Sequence, residues 1–154
     1  MQNKLHFAIS GLTAAEIIHK RVGSAKLNLG LTSWKNSPKG EIRINDVAVA
    51  KNYLDVKELD GLNRIVTMYL DYAETQAKMG VAMRMKDWVK KLNAFLRFNE
   101  RKILQDNGKI SHEVAVALAE GEYEKYRIKH DKNYISDFDR EVKKLLDKKM
   151  VYNV

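Results

Sequence analysis

Leu59, Leu62, Val66, Tyr69 and Ala73, with Gln76 closing the series, recur in alternating steps of three and four. That spacing keeps one face of a helix against a neighbour. Ile65 and Leu70 widen the apolar arc. Asp55 and Glu58 stand at capping-box spacing before it, and Gly80 suits the left-handed position that ends a helix. A second stripe over residues 85–105 places Trp88, Leu92, Phe95, Leu96 and Ile103 inside; Arg84, Lys86, Lys90, Lys91, Arg97, Arg101 and Lys102 fall outside. Upstream, Thr13 and Glu16 repeat the capping-box spacing and predict a helix over 12–22 carrying Ala14, Ile17, Ile18 and Arg21. Residues 5–10 suit either a helical turn or an extended lead-in.

Downstream, Asn107-Gly108 signals a turn, and Ser111 caps a helix with Val114, Ala117, Leu118 and Gly121 that continues through Tyr123 and Tyr126. A break is expected near 131–133. Ser136 with Asp139 opens a last helix whose stripe is Phe138, Val142, Leu145 and Leu146. Residues 150–154 then fray or dock.

Residues 23–40 break the periodicity with Gly23, Gly30, Pro38 and Gly40. They predict a long ordered loop anchored by Leu27, Leu29, Leu31 and Trp34; loops of this length are uncommon and often functional. Residues 41–44 alternate like a very short strand, which alone builds no sheet. Asn45 or Asp46 suits the cap of a helix bearing Val47, Val49, Ala50, Tyr53 and Leu54. The expected fold is therefore all-α: one domain over 1–154, a compact bundle of five or six helices with one long ordered loop near residues 23–40.

Composition changes this picture little. Hydrophobic residues make up 45% and charged residues 31%, an ordinary globular balance. Without cysteine, disulfides and thiolate metal sites are excluded. No apolar run is long enough to span a bilayer and the first residues are not a signal peptide, so a cytoplasmic, membrane-free setting is expected. The net charge of +8 favours an acidic partner such as nucleic acid. Acidic residues interrupt both basic stretches, however, as on a solvated helix surface.

Several segments resemble the C-terminal part of RhuM-like bacterial virulence-associated proteins: Leu12 to Ile18, Gly30-Leu31-Thr32-Ser33, Asp46-Val47, Ala50 to Leu54, Lys57-Glu58-Leu59, Leu62-Asn63, Tyr69, Asp71, Ala73-Glu74, Gln76-Ala77 and Met85-Lys86-Asp87. The resemblance fades after about Tyr126. It implies relatives of about twice this length, whose N-terminal half resembles a helix-turn-helix DNA-binding region carried beside Fic-type toxin domains in related proteins. The expectation is that this half is absent here and that the chain corresponds to the C-terminal half.

No motif names a reaction. Fic-like, phosphate-loop, nucleophile-elbow and zinc-protease motifs are all missing, and no cofactor is implied. Glu16 and His19 form an E-x-x-H step, but a di-metal bundle needs a second such pair, so no metal site is expected. Asp71 and Glu74 lie three apart beside the apolar stripe, where a carboxylate can serve as a base if it lines a cleft. His19, Lys51, Tyr69, Asp71 and Glu74 are therefore the candidate catalytic set, with the Trp34 loop as a possible lid over Lys51, Tyr69 and Glu74. Lys90, Arg97 and Arg101 are the candidate nucleic-acid contacts, and Tyr123, Tyr126 and Tyr134 candidate stacking platforms.

The expected role is a non-enzymatic interaction or assembly module, joining copies of itself or binding another protein, and accompanying a DNA-binding half. The alternatives are a toxin-like enzyme with an atypical polar pocket acting on nucleotides or nucleic acid, and direct nucleic-acid binding by the basic faces.

Overall fold

Two reciprocal caps start the helices that frame the molecule. The Thr13 hydroxyl accepts from the Glu16 amide at 3.3 Å, and the Glu16 carboxylate accepts from the Thr13 amide at 2.9 Å. Asp55 and Glu58 do the same at 2.8 and 3.1 Å. Each pair satisfies amide groups that a helix start leaves without partners. In this computed structural model, which describes the backbone of residues 1–133 and 137–152 and the side chains of 1–132 and 138–150, the chain is all-helical. The helices are α1 (Gln2–Ser10), α2 (Ala14–Arg21), α3 (Val56–Lys78), α4 (Met85–Phe98), α5 (His112–Asn133) and α6 (Asp137–Tyr152).

Between α2 and α3 the chain makes three short 3₁₀ turns, Leu27–Gly30, Ile44–Ala48 and Ala50–Tyr53, in place of the strand and the α-helix the sequence suggested there. The reason is local hydrogen bonding. The buried Asp46 carboxylate accepts from the Arg43 amide at 2.7 Å and the Lys35 amide at 3.2 Å, so it ties the loop down instead of capping an α-helix. Asn52 Nδ2 donates to the Asp46 carbonyl at 3.0 Å, and the Asn52 carbonyl accepts from the Thr32 amide at 2.7 Å. The Tyr53 hydroxyl, buried, donates to the Val47 carbonyl at 2.8 Å. The loop over 23–40 is ordered and Leu29, Leu31 and Trp34 are its anchors, whereas Leu27 is 87% exposed and anchors nothing. Gly30 sits at φ +84 with its Cα against the Arg21 carbonyl, an approach no side chain allows.

The core has two parts. One gathers Ile17 and Ile18 of α2, Leu29, Val47, Tyr53, Leu54, Leu62 of α3, and Ala115 and Ala119 of α5. The other gathers Ala8 of α1, Ile65 and Tyr69 of α3, and Leu92 and Leu96 of α4, with Trp88 and Phe95 packed against them. Each large buried side chain contributes about 1.5–3 kcal/mol. Tyr69 meets Trp88 edge-on at 6.2 Å and donates to its carbonyl at 2.7 Å, which fixes α4 against α3.

Several expected positions move. The lead-in is the full helix α1. The α4 helix ends at Phe98, not near 105, because Glu100 turns left-handed at φ +58; Ile103 and the buried Leu104 then pack from an irregular segment. Leu70 is exposed. On α5 the Ser111 cap forms, with the Val114 amide donating to its hydroxyl at 3.2 Å, but the buried face is Ala115 and Ala119, and Val114, Ala117 and Gly121 face solvent. Gly80 takes the left-handed turn expected of it, at φ +68. The α5 helix ends at Asn133, while the Ser136 cap, Tyr134 and the side chains of the tail beyond Met150 lie outside the described residues.

Candidate functional site

The charged groups closest to the core are structural. Arg21 meets Glu58 through two bonds of 2.6 and 2.9 Å and also donates to the Tyr53 carbonyl at 2.9 Å. The guanidinium holds the Glu58 carboxyl below its usual range, and the carboxylate raises Arg21 in turn. Glu16, besides capping α2, accepts from the Lys109 amide at 2.7 Å, and that bond is the main cause of its lowered pKa.

The candidate catalytic set is dispersed. His19 is exposed and lines a cavity of about 660 Å³ with Phe7, Leu12, Glu16 and Ile103. Tyr69 is buried between α3 and α4, where burial raises its pKa. Lys51, Asp71 and Glu74 are exposed, and Glu74 pairs with Lys78 at 3.1 Å. The walls of that cavity, of the Trp34 cavity described next and of a small apolar pocket of about 230 Å³ by Phe98 contain no member of the set other than His19. Among the described residues no three His, Asp or Glu side chains gather as metal ligands. Lys90, Arg97 and Arg101 are all exposed, but Arg101 lies beyond the end of α4, so the three do not share one helix face.

Trp34 packs toward α5 instead. Its indole N–H donates to the Gly40 carbonyl at 2.8 Å, which holds the loop closed on itself. Between that loop and α5 lies a cavity of about 490 Å³ whose walls include Trp34, Lys39, Glu41, Tyr123, Tyr126 and Arg127. Tyr126 stacks on His130 with ring centroids 5.5 Å apart and planes at 27°. The sequence marked Tyr123 and Tyr126 as possible platforms; it gave no sign that residues 34–42 would face them.

The α6 helix bears the other unusual surface. Phe138 is 76% exposed, Leu145 62% and Met150 74%, with Val142 and Leu146 also open. The stripe the sequence predicts is present, yet it covers no part of either core. Along the same helix charges of both signs are interspersed. Asp139 and Glu141 alternate with Arg140, Lys143 and Lys144 in the first half, and Asp147 adjoins Lys148 and Lys149 in the second, with Lys144 paired to Glu141 at 2.9 Å.

No helix is long and apolar enough to cross a membrane among the described residues. Comparison with curated proteins and with solved structures finds no match. The model of the virulence protein RhuM family matches residues 1–135. That span runs from α1 to the end of α5, takes in both cores and the Trp34 cavity, and leaves α6 outside it. The chain belongs to the virulence protein RhuM family.

Proposed function

We propose that the chain is a non-enzymatic assembly module whose α6 helix pairs antiparallel with α6 of a second copy. The observation that carries this is the open stripe of Phe138, Val142, Leu145, Leu146 and Met150 on a helix whose own core is elsewhere. Exposed apolar surface of this kind, rimmed by charge, is what an interface buries. The occupant that supplies a matching stripe is a second copy of the same helix. Charges of both signs border the apolar positions, so the copy brings acceptors for the lysines as well as apolar surface, and a two-fold axis generates that arrangement from one sequence. In the register that brings Leu145 near the axis, Glu141 faces Lys148 of the second copy. A dispersed set of candidate catalytic side chains fits a role in holding rather than in chemistry. The DNA-binding half that resemblance attributes to longer relatives would then be presented in pairs, as two-fold operators require.

Light scattering tests this directly. The expected result is a concentration-dependent dimer of the 17.8 kDa chain, reduced to monomer by Leu145→Asp with Leu146→Asp. Glu141→Lys weakens the dimer and adding Lys148→Glu restores it. A monomer at all concentrations overturns the reading, as does a dimer indifferent to these changes.

A further inference from the structure

The cavity between the Trp34 loop and α5 is independent of the α6 surface and carries its own chemistry. Its volume of about 490 Å³ falls in the range of small-molecule sites. Tyr123, Tyr126, Arg127 and His130 line it together because they recur at steps of three and four along one face of α5. The Tyr126–His130 pair supplies a stacked aromatic wall before any ligand arrives, and Trp34, its N–H already spent on Gly40, adds apolar surface opposite.

The charges in this cavity are of both signs. Lys39 and Arg127 offer cations, Glu41 and Asp131 carboxylates. A bare polyanion meets repulsion from the carboxylates, and a purely apolar ligand leaves all four groups unserved. A ligand that satisfies both signs carries an anionic end and N–H donors on a flat ring. Arg127 shares an ion pair with Glu124 at 3.1 Å, but both side chains are more than half exposed, so the pair is weak and a phosphate can compete for the guanidinium. Glu41 lies close enough to Tyr126 that its charge helps raise the phenol pKa, behind burial and Tyr123. A carboxylate is therefore at hand beside the aromatic wall, where it accepts from an exocyclic amino group.

We infer that this cavity binds a nucleotide with an amino-bearing base, the base stacked by Tyr126 and hydrogen-bonded by Glu41 or Asp131, the phosphate held by Lys39 and Arg127. The same chemistry is offered by a free nucleotide and by the end of a single strand.

Calorimetric titration of the full chain with AMP, CMP, UMP, adenosine, inorganic phosphate and a short oligo(dA) tests the inference. AMP or CMP should bind saturably and more tightly than UMP, adenosine or phosphate. Oligo(dA) binding more tightly than AMP identifies a strand end as the ligand, and the reverse order identifies the free nucleotide. Tyr126→Leu should weaken binding about tenfold, the scale of one stacked base. Because Tyr126 also packs on the core, Lys39→Glu is the second variant: an exposed change that should weaken binding with the thermal midpoint unmoved. The Trp34 indole N–H resonance should shift on AMP addition while that of Trp88 stays in place. Absence of binding by the nucleotides and the oligonucleotide at millimolar concentration overturns the inference. So does phosphate binding as well as AMP, or Lys39→Glu binding like the parent.

Discussion

The Glu16 carboxylate on α2 accepts the backbone N–H of Lys109 at 2.7 Å, a bond between residues 93 positions apart. The same carboxylate closes the cap on its own helix. One side chain thus starts α2 and fastens the turn that delivers α5 to it. Replacing it with alanine removes both bonds and leaves the Lys109 amide without its protein partner. Glu16→Ala should therefore cost about 1–3 kcal/mol, the sum of a lost cap and a lost charge-assisted bond. Glu16→Gln retains an acceptor and should cost less. Urea denaturation of the two variants against the parent measures the difference.

Acid should unfold the chain through Glu58 and Glu16. Both carboxyls are held below the ordinary glutamate value of 4.5, Glu58 first by its bond to Arg21 and Glu16 first by the Lys109 amide. A carboxyl with a lowered folded pKa contributes stability that is complete above its unfolded pKa and is lost as pH falls through the folded one. The urea midpoint should be flat from pH 7 to about 5 with respect to these groups, then fall below 4.5. In a Glu16→Gln, Glu58→Gln double variant that fall should shrink. Arg21→Ala should cost about 1–3 kcal/mol at pH 7, less than a fully buried pair because both groups keep some solvent. Its measure is the same urea titration.

Two glycines should respond in opposite directions to alanine. Gly108 sits at φ +83, and a Cβ there would lie 2.6 Å from Thr13 Cγ2, so both backbone and space resist it. Gly121 lies in α5 with nothing within 4 Å of its Cβ position. Gly108→Ala should lower the thermal midpoint. Gly121→Ala should raise stability by about 0.5–1 kcal/mol through helix propensity alone.

The sequence revealed what side chains do to their own neighbouring backbone. Thr13 with Glu16 and Asp55 with Glu58 announce their helices because the capping bonds span three residues, and Gly80 announces a stop because only its backbone turns left freely. Glu100 makes the same left-handed turn without a glycine to signal it, so the end of α4 was hidden. The Ala115 and Ala119 face was hidden too, since small residues chosen for close helix approach leave little hydrophobic contrast. Asp46 has the composition of a helix cap, and only the loop folding back from Lys35 turns it into a staple. The α6 stripe was visible, but periodicity says that a face is apolar, not whether the same chain covers it. The Trp34 cavity joins residues more than eighty positions apart, and no local pattern encodes such a meeting.

His6 gives the last test, because it is a buried group with no counterpart for its charge. Its side chain is 3% exposed and Nδ1 has no hydrogen-bond partner among the described residues. Burial lowers its pKa from 6.5, which keeps the ring neutral in the folded chain. The unfolded chain binds this proton more readily, so stability should be complete above pH 6.5 and decline as pH falls through that value toward the folded pKa. This decline begins at a higher pH than the carboxylate transition. A His6→Leu variant deletes the titration and leaves no unpaired nitrogen inside, so it should match or exceed the parent in stability at pH 7. It should also lose the fall in urea midpoint that begins below pH 6.5. An unchanged slope just below pH 6.5 would assign the proton uptake to another group.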